Sequence, residues 1–319
     1  MKRAAIAIGS NSTRLLCADS REGQLTDLLR GREETRLFLG LDGEGNIEPR
    51  RLEETARAVE RLWNRARAYG AETVELFATS ASRDAKNGAQ LRDRIRALCG
   101  LDMRIISGRE EAALAFRAVS AGERRLVMDI GGGSTEWIIG ENNRVEWSAS
   151  MQLGASRLLK MQPIDSPADA ERVLALARGI MAPCAEQLRR LPPAPAMVGL
   201  GGSCTTAAAI CMGREAHGEQ VEGRTVTLEQ ARAQLHLLSR LPLEQRALVP
   251  GLPPARAVHM PHGLCILISA LESCGFDALT VSGKTNLDGY LMSLEDEQKS
   301  AGSARQQTTD GRNRLCPGN

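Results

Sequence analysis

Four acidic residues stand where they could do chemistry: Glu110 and Glu111 at the start of a helical pattern, Asp129 at the end of an apolar run, and Glu136 just beyond it. Carboxylates in such places activate a water as general bases or hold a hard cation through oxygen. Between Asp129 and Glu136 the chain turns through Ile130-Gly131-Gly132-Gly133-Ser134-Thr135. A near copy, Ile8-Gly9-Ser10-Asn11-Ser12-Thr13, lies close to the N-terminus. Strand, small-residue turn, strand describes a hairpin whose bare N–H groups can form an anion-binding concavity. One such turn is most simply a tight hairpin, but the repetition favours two lobes facing one anionic ligand. One difference stands out. The counterpart of Asp129 in the first turn is Ala7.

Other candidates are weaker. Arg83 and Lys86, after Thr79-Ser80, could grip phosphate oxygens, the arginine as a fork and the lysine as a point charge. Gly201-Gly202-Ser203 at a strand-to-helix junction is a third anion or nucleotide site, or simply close packing of that helix. Glu110-Glu111 would also suit a helix N-terminus through the dipole alone. Gly283-Lys284-Thr285 lacks the upstream glycine of a phosphate-binding P-loop, since Ala278 occupies that position. His259 and His262 flank Pro261, which spoils a helical metal pair, and no Gly-x-Ser-x-Gly elbow occurs.

These residues need elements to hold them. Residues 4 to 18 read as the first hairpin, continued by a strand within 24–38. Apolar positions Leu52, Ala56, Val59, Leu62 and Ala66 predict a helix over 50–69. A strand is expected at 73–78, a helix at 87–98 and a strand at 103–106, and Ser107 caps a helix running to about 121. At Arg124-Arg125 the pattern restarts with the second hairpin. Strands at 145–152, 196–200 and 278–282 alternate with helices at 167–190, from 201, 228–239, 243–248, 262–274 and 286–297. The expected organisation is one domain over 1–123, a second over 124–297 whose last helix can pack back on the first, and a disordered tail over 298–319.

Composition narrows the partners. Hydrophobic residues make up 42% and charged residues 25%, as in an ordinary globular protein. Aromatics are only 3%, which argues against base-stacking nucleic-acid binding. A net charge of +2 gives no global field for nucleic acid or an anionic membrane, so a polyanion would need a local basic groove. Eight cysteines are scattered without a CxxC pair, as expected for reduced thiols in the cytoplasm. No signal peptide and no membrane span are read.

Taken together, Gly9-Ser10-Asn11-Ser12, Thr79-Ser80-Ala81-Ser82-Arg83-Asp84-Ala85-Lys86-Asn87, Ser107-Gly108-Arg109-Glu110-Glu111-Ala112 and Asp129 through Glu136 resemble, in order, the motifs of the exopolyphosphatase and guanosine pentaphosphate phosphatase (Ppx/GppA) family. The resemblance spans about residues 4 to 295 and implies the short, two-lobed form. It implies an α/β fold of two ribonuclease-H-like domains of the actin, Hsp70 and sugar-kinase superfold around a cleft. It places Glu111 at the catalytic-base position, and Asp129 and Glu136 at acidic positions tied to catalysis and to magnesium, with manganese as the alternative ion. It puts Gly9, Ser10, Asn11, Ser12, Arg83, Gly131, Gly132, Gly133 and Ser134 against substrate phosphates, with Gly201 and Gly202 as the further site. The implied substrate is polyphosphate or a guanosine polyphosphate, and a homodimer is a common arrangement of the family. Two departures are expected to matter: Ala7 and Val258 stand where the family has aspartates, which motivates an alternative reading as a weakened, ligand-sensing protein. An ATPase of the sugar-kinase or Hsp70 kind is a third reading, against which the Glu110-Glu111 pair argues.

Overall fold

A computed structural model describes residues 2–21, 24–120 and 122–294; the expected tail over 298–319 and the end of the last helix lie outside them. The first sheet is built from β1 (Lys2–Ile8), β2 (Thr13–Arg21), β3 (Gln24–Glu33), β4 (Thr73–Ala78) and β5 (Met103–Ile105), in the order β3-β2-β1-β4-β5. The first three form an antiparallel meander, and β4 and β5 add in parallel beside β1. Among them run α1 (Pro49–Ala68), α2 (Ser80–Asp84), α3 (Gly88–Cys99) and α4 (Gly108–Val119). Proline at the first position opens α1, and its stripe of Ala56, Val59, Leu62 and Ala66 is buried against the sheet.

The second sheet repeats the scheme. An antiparallel meander of β6 (Arg125–Ile130), β7 (Thr135–Glu141) and β8 (Arg144–Met151) is followed by β9 (Met197–Leu200), parallel to β6. Then β11 (Ala278–Val281) pairs parallel to β9, and β10 (Arg224–Thr227) closes the edge antiparallel, giving β10-β11-β9-β6-β7-β8. Its helices are α5 (Ala155–Met161), α6 (Pro167–Leu188), α7 (Gly201–Met212), α8 (Leu228–Arg240), α9 (Leu243–Arg246) and α10 (Met260–Cys274). The apolar α10 is buried almost throughout and anchors the larger core.

Two helices are exchanged between the lobes. Ala112, Ala115, Phe116 and Val119 of α4 pack on Val127, Ile138, Val198 and Leu200 of the second sheet. In return, Leu287 and Leu291 of the helical segment 286–294 pack on Ala5, Ala7, Leu16 and Phe77 of the first. Arg30 of β3 fixes that segment with a bidentate pair to the buried Asp288, at 2.6 and 3.2 Å. The packing boundary therefore differs from a chain division at 123/124. The swap ties the lobes together, with α4 carrying its N-terminal acids into the space between them.

Three elements differ from the sequence reading. The segment from Ser80 forms a short helix, and α5 and β10 stand where the sequence pattern predicts no element. Both of the latter rest on tertiary partners. Amides of Ala155, Ser156 and Arg157 bond to the carbonyls of Gly131 and Gly132, and β10 exists through its register with β11.

Candidate active site

The two small-residue turns are the same structure. Gly9 N–H donates to the Ser12 carbonyl at 3.0 Å and Gly131 N–H to the Ser134 carbonyl at 2.9 Å. They face each other across a cavity lined by Gly9 to Ser12 and Gly131 to Ser134, together with Ala7, Thr79, Ser80, Glu111, Asp129, Glu136 and Gly202. Antiparallel register sets Asp129 directly opposite Glu136, so both carboxylates leave the hairpin on one face.

The Glu110-Glu111 pair divides its labour. Glu110 completes a capping box, its carboxylate accepting from Ser107 N–H at 2.7 Å while Ser107 Oγ accepts from Glu110 N–H at 3.1 Å. Glu111, one residue round the helix, turns inward to the cavity and is only 7% exposed. It accepts from Arg83 Nη1 at 2.9 Å, and the same nitrogen donates to the Ile106 carbonyl at 2.8 Å. Arg83 thus stands behind Glu111 and orients it, rather than lining the cavity. Lys86, the second expected cation, is exposed and away from the cavity lining.

Three carboxylates crowded in a dry place resist ionisation. Burial chiefly, opposed by Arg83, pushes the Glu111 carboxyl up to about 7. Burial and the neighbouring Glu111 and Asp129 charges push Glu136 well above the usual range, although Ser150 Oγ donates to it at 2.7 Å. Asp129 is raised by burial and opposed only by the charge of Arg14, and no described residue donates a hydrogen bond to it. A buried acid of this kind either stays protonated or is met by a cation. Among the described residues no three His, Cys, Asp or Glu side chains converge on a ready-made metal cage. Two paired carboxylates, one unpartnered, still fit magnesium, which keeps waters and takes substrate phosphates as its remaining ligands.

The opposite end of the cavity is cationic, and sequence reasoning missed it. Arg14, Arg32 and Arg256 line it beside the neutral imidazole of His259, which burial and then Arg256 depress to about 3. Arg32 is paired with Glu34. The Arg256 guanidinium has no hydrogen-bond or ion-pair partner among the described residues, and burial, Arg32 and Arg14 all pull its pKa down. Its guanidinium lies over Gly202, where a Cβ would meet Nη1 at 1.9 Å. Gly201, at φ +85°, packs beside the Asp129 carboxylate instead. The glycine pair therefore serves both ends of the site. The duplication held the missing signal: Arg14 is the cross-hairpin partner of Ala7, as Glu136 is of Asp129. Val258, expected near the cleft, lines a separate cavity with Leu159, Ile164 and Leu243. Asp165 and Arg246 line that cavity too, and Val258 is absent from the lining of the central one.

Small clasps close the lobes on one another. Ser156 Oγ donates to Asn11 Oδ1, and Arg157 bonds Asp84 and the Gly133 carbonyl while lying 4.6 Å from the Phe38 ring centroid. Behind the second turn, Gly154 lets α5 approach so closely that a Cβ would sit 2.3 Å from the Gly132 carbonyl carbon. Gly154→Ala is therefore expected to push the turn off its position. The expected cost is about 1–3 kcal/mol, as for other overpacked sites, with a lower Tm and weakened phosphate binding by calorimetry.

Paired small-residue turns facing one cavity, a buried acid cluster and two duplicated mixed sheets define a protein of the two-lobed actin-like ATPase fold. The chain belongs to the Ppx/GppA phosphatase family, whose match spans residues 16–298. It is 33% identical over 318 residues to exopolyphosphatase 2 of Mycobacterium tuberculosis, covering 91% of this chain and 98% of that one. Among solved structures it resembles the Ppx/GppA enzyme of Aquifex aeolicus, with a TM-score of 0.77 and 27% identity over 92% of this chain and 99% of that one. An exopolyphosphatase from Cytophaga hutchinsonii shares the fold, with a TM-score of 0.84 and 24% identity over 93% and 98% of the two chains. No described helix is long and apolar enough to cross a membrane.

Proposed function

We propose that this chain hydrolyses the terminal phosphoryl group of inorganic polyphosphate and releases orthophosphate, with Glu111 activating the water. The observation that carries this reading is the charge polarity of the cleft. Carboxylates occupy one end, and guanidiniums the other. Arg14, Arg32, Arg256 and Gly202 also line a second cavity of about 500 Å3, which continues outward past Arg30 and Lys284. A linear polyanion fits this axis in one direction, its end at the acids and its following phosphates along the arginines. The relative from M. tuberculosis, an exopolyphosphatase, supports the substrate class.

Phosphoryl transfer asks little covalent work of the protein, so positioning and charge neutralisation dominate. The amides of both turns hold the terminal phosphoryl oxygens. Asp129 and Glu136 would hold the divalent ion, magnesium or manganese, which supplies charge neutralisation at the phosphate oxygens when bound. Glu111, with a carboxyl near neutrality, takes the proton of the attacking water, and its orientation is set by Arg83. Ser80, whose buried hydroxyl has no partner among the described residues, offers a further donor in the cavity.

A guanosine polyphosphate is the second reading. Leu15, Ala209, Ala216 and Pro253 give the second cavity apolar walls, and Glu34 and Glu215 add acceptors suited to a purine's N–H groups. Catalytic weakening into a sensor is the third, motivated by Ala7. We place the protein in the cytoplasm, in keeping with described cysteines that are all unpaired. Phosphate release should be assayed on polyphosphate and on guanosine pentaphosphate, with and without magnesium. Magnesium-dependent release from polyphosphate is expected. Release from the nucleotide alone would select the second reading, and tight binding of either without release would select the sensor.

A further inference from the structure

The roles of the acids, the turns and the arginines leave one buried polar side chain of the cleft unused. His259 immediately precedes α10, and its backbone is fully occupied: its N–H donates to the Arg256 carbonyl at 3.2 Å, and its carbonyl accepts from Gly263 N–H at 3.1 Å. Its side chain lines the cavity and is only 6% exposed, and neither ring nitrogen has a hydrogen-bond partner among the described residues. His262, three residues on, is placed differently. It is fully buried and absent from that lining, and its Nε2 lies 3.0 Å from the Gln162 carbonyl at the end of α5. His262 therefore braces α10 against α5, while the imidazole of His259 is left to the cleft. A polar ring buried without a partner is costly, and a ligand that brings acceptor oxygens relieves that cost.

We propose that His259 is a substrate-contacting residue: its imidazole donates one N–H to a phosphate oxygen where the chain lies among the guanidiniums. The contact is made by a neutral ring. Arg256, Arg32, Arg36 and His262 all act on it to disfavour a positive charge, and the carboxylates of Glu111, Asp129 and Glu136 stand at the other end of the cavity. From a starting value of about 3, charging the ring at pH 7 would take a ligand that prefers imidazolium over imidazole about 10⁴-fold. A neutral imidazole offers one N–H donor and one acceptor nitrogen. It thus adds a directed bond to the anion without adding a further like charge beside Arg256, which Arg32 and Arg14 already oppose.

This role of His259 rests on the phosphate-handling reading of the cleft but not on turnover. Its test is the binding of tripolyphosphate to the full chain in EDTA, followed by calorimetry, together with ¹⁵N spectra of histidine-labelled protein at pH 7. The chain has four histidines, and the His259 signals are assigned by their loss in His259→Gln. Tripolyphosphate should move the His259 N–H signal while the two ring nitrogens keep the shifts of a neutral tautomer. His259→Leu should weaken binding about 10-fold, as for loss of a hydrogen bond to a charged group, and by the same factor at pH 6 and pH 8. His259→Gln keeps an N–H donor and should stay within about 3-fold of wild type. Melting by circular dichroism reports whether each variant is folded, and the wild-type ring signals decide the matter if His259→Leu is not. Unmoved His259 signals, wild-type affinity in folded His259→Leu, or a loss confined to pH 6 would overturn the proposal. Failure of wild type to bind tripolyphosphate would overturn it together with the reading beneath it. Absent turnover with the expected binding pattern would instead contradict the proposed hydrolysis and leave the role of His259 standing.

Discussion

Glu111→Gln is expected to lower kcat for phosphate release about 10³-fold while KM stays within a few-fold of wild type, within the range that a positioned general base supplies. Glutamine keeps the shape of the side chain and an oxygen that can accept from Arg83, so the substrate-facing geometry survives. What disappears is the proton acceptor. Removing one partner of a buried ion pair is ordinarily destabilising, because it strands the other charge. Here the opposite weight is larger. Burial holds the Glu111 carboxyl near 7 despite Arg83, so its ionised form is worse off in the fold than in water. The variant should therefore melt no lower than wild type at pH 8. A kinetic loss with lower stability would mean that Glu111 matters for packing, whereas loss with retained stability isolates its chemistry.

Glu136→Gln should produce three effects together: loss of activity, loss of stabilisation by magnesium, and a higher Tm without metal at pH 8. The sign follows from linkage. Glu111, Asp129 and Glu136 all have folded-state pKa values raised above their ordinary ones. Their contribution to stability is fully present below about pH 4 and is lost as pH rises through the raised values. Glu110 and Asp169, held down by their caps, act in the reverse sense and lose their contribution as pH falls through their depressed values. Apo protein should therefore be most stable near pH 5 and weaken toward pH 8. Each kcal/mol recovered by neutralising Glu136 would raise Tm by roughly 2–4 °C. Magnesium should stabilise wild type at pH 8 by mass action and leave Glu136→Gln unmoved. An equal magnesium response in both proteins would remove Glu136 from the metal site.

The strands and hairpins of both meanders were legible because alternation and small-residue turns are local signals, and their repetition separated an anion site from an ordinary turn. The cap at Ser107 was legible for the same reason, as was the presence of an acid pair behind it. Which acid faces the cleft was not readable from adjacency alone, since successive helical residues point about 100° apart and only packing on the second sheet decides the direction. Resemblance to the family chose Glu111, and the geometry brings it to the cavity with Asp129 and Glu136. Arg14 was legible in principle through the repeat. Arg32 and Arg256 were not, because they come from distant segments that meet only when the helix exchange closes the cleft. Gly154 and α5 escaped for a similar reason: what makes that glycine necessary is a backbone more than twenty residues earlier in the chain.

The central claim is water attack on the terminal phosphorus, and hydrolysis in ¹⁸O-labelled water tests it most directly. With polyphosphate and magnesium, mass spectrometry should find one solvent oxygen in each released orthophosphate and none in the shortened chain. Label on the new chain end instead would place the attack on the penultimate phosphorus and contradict the account.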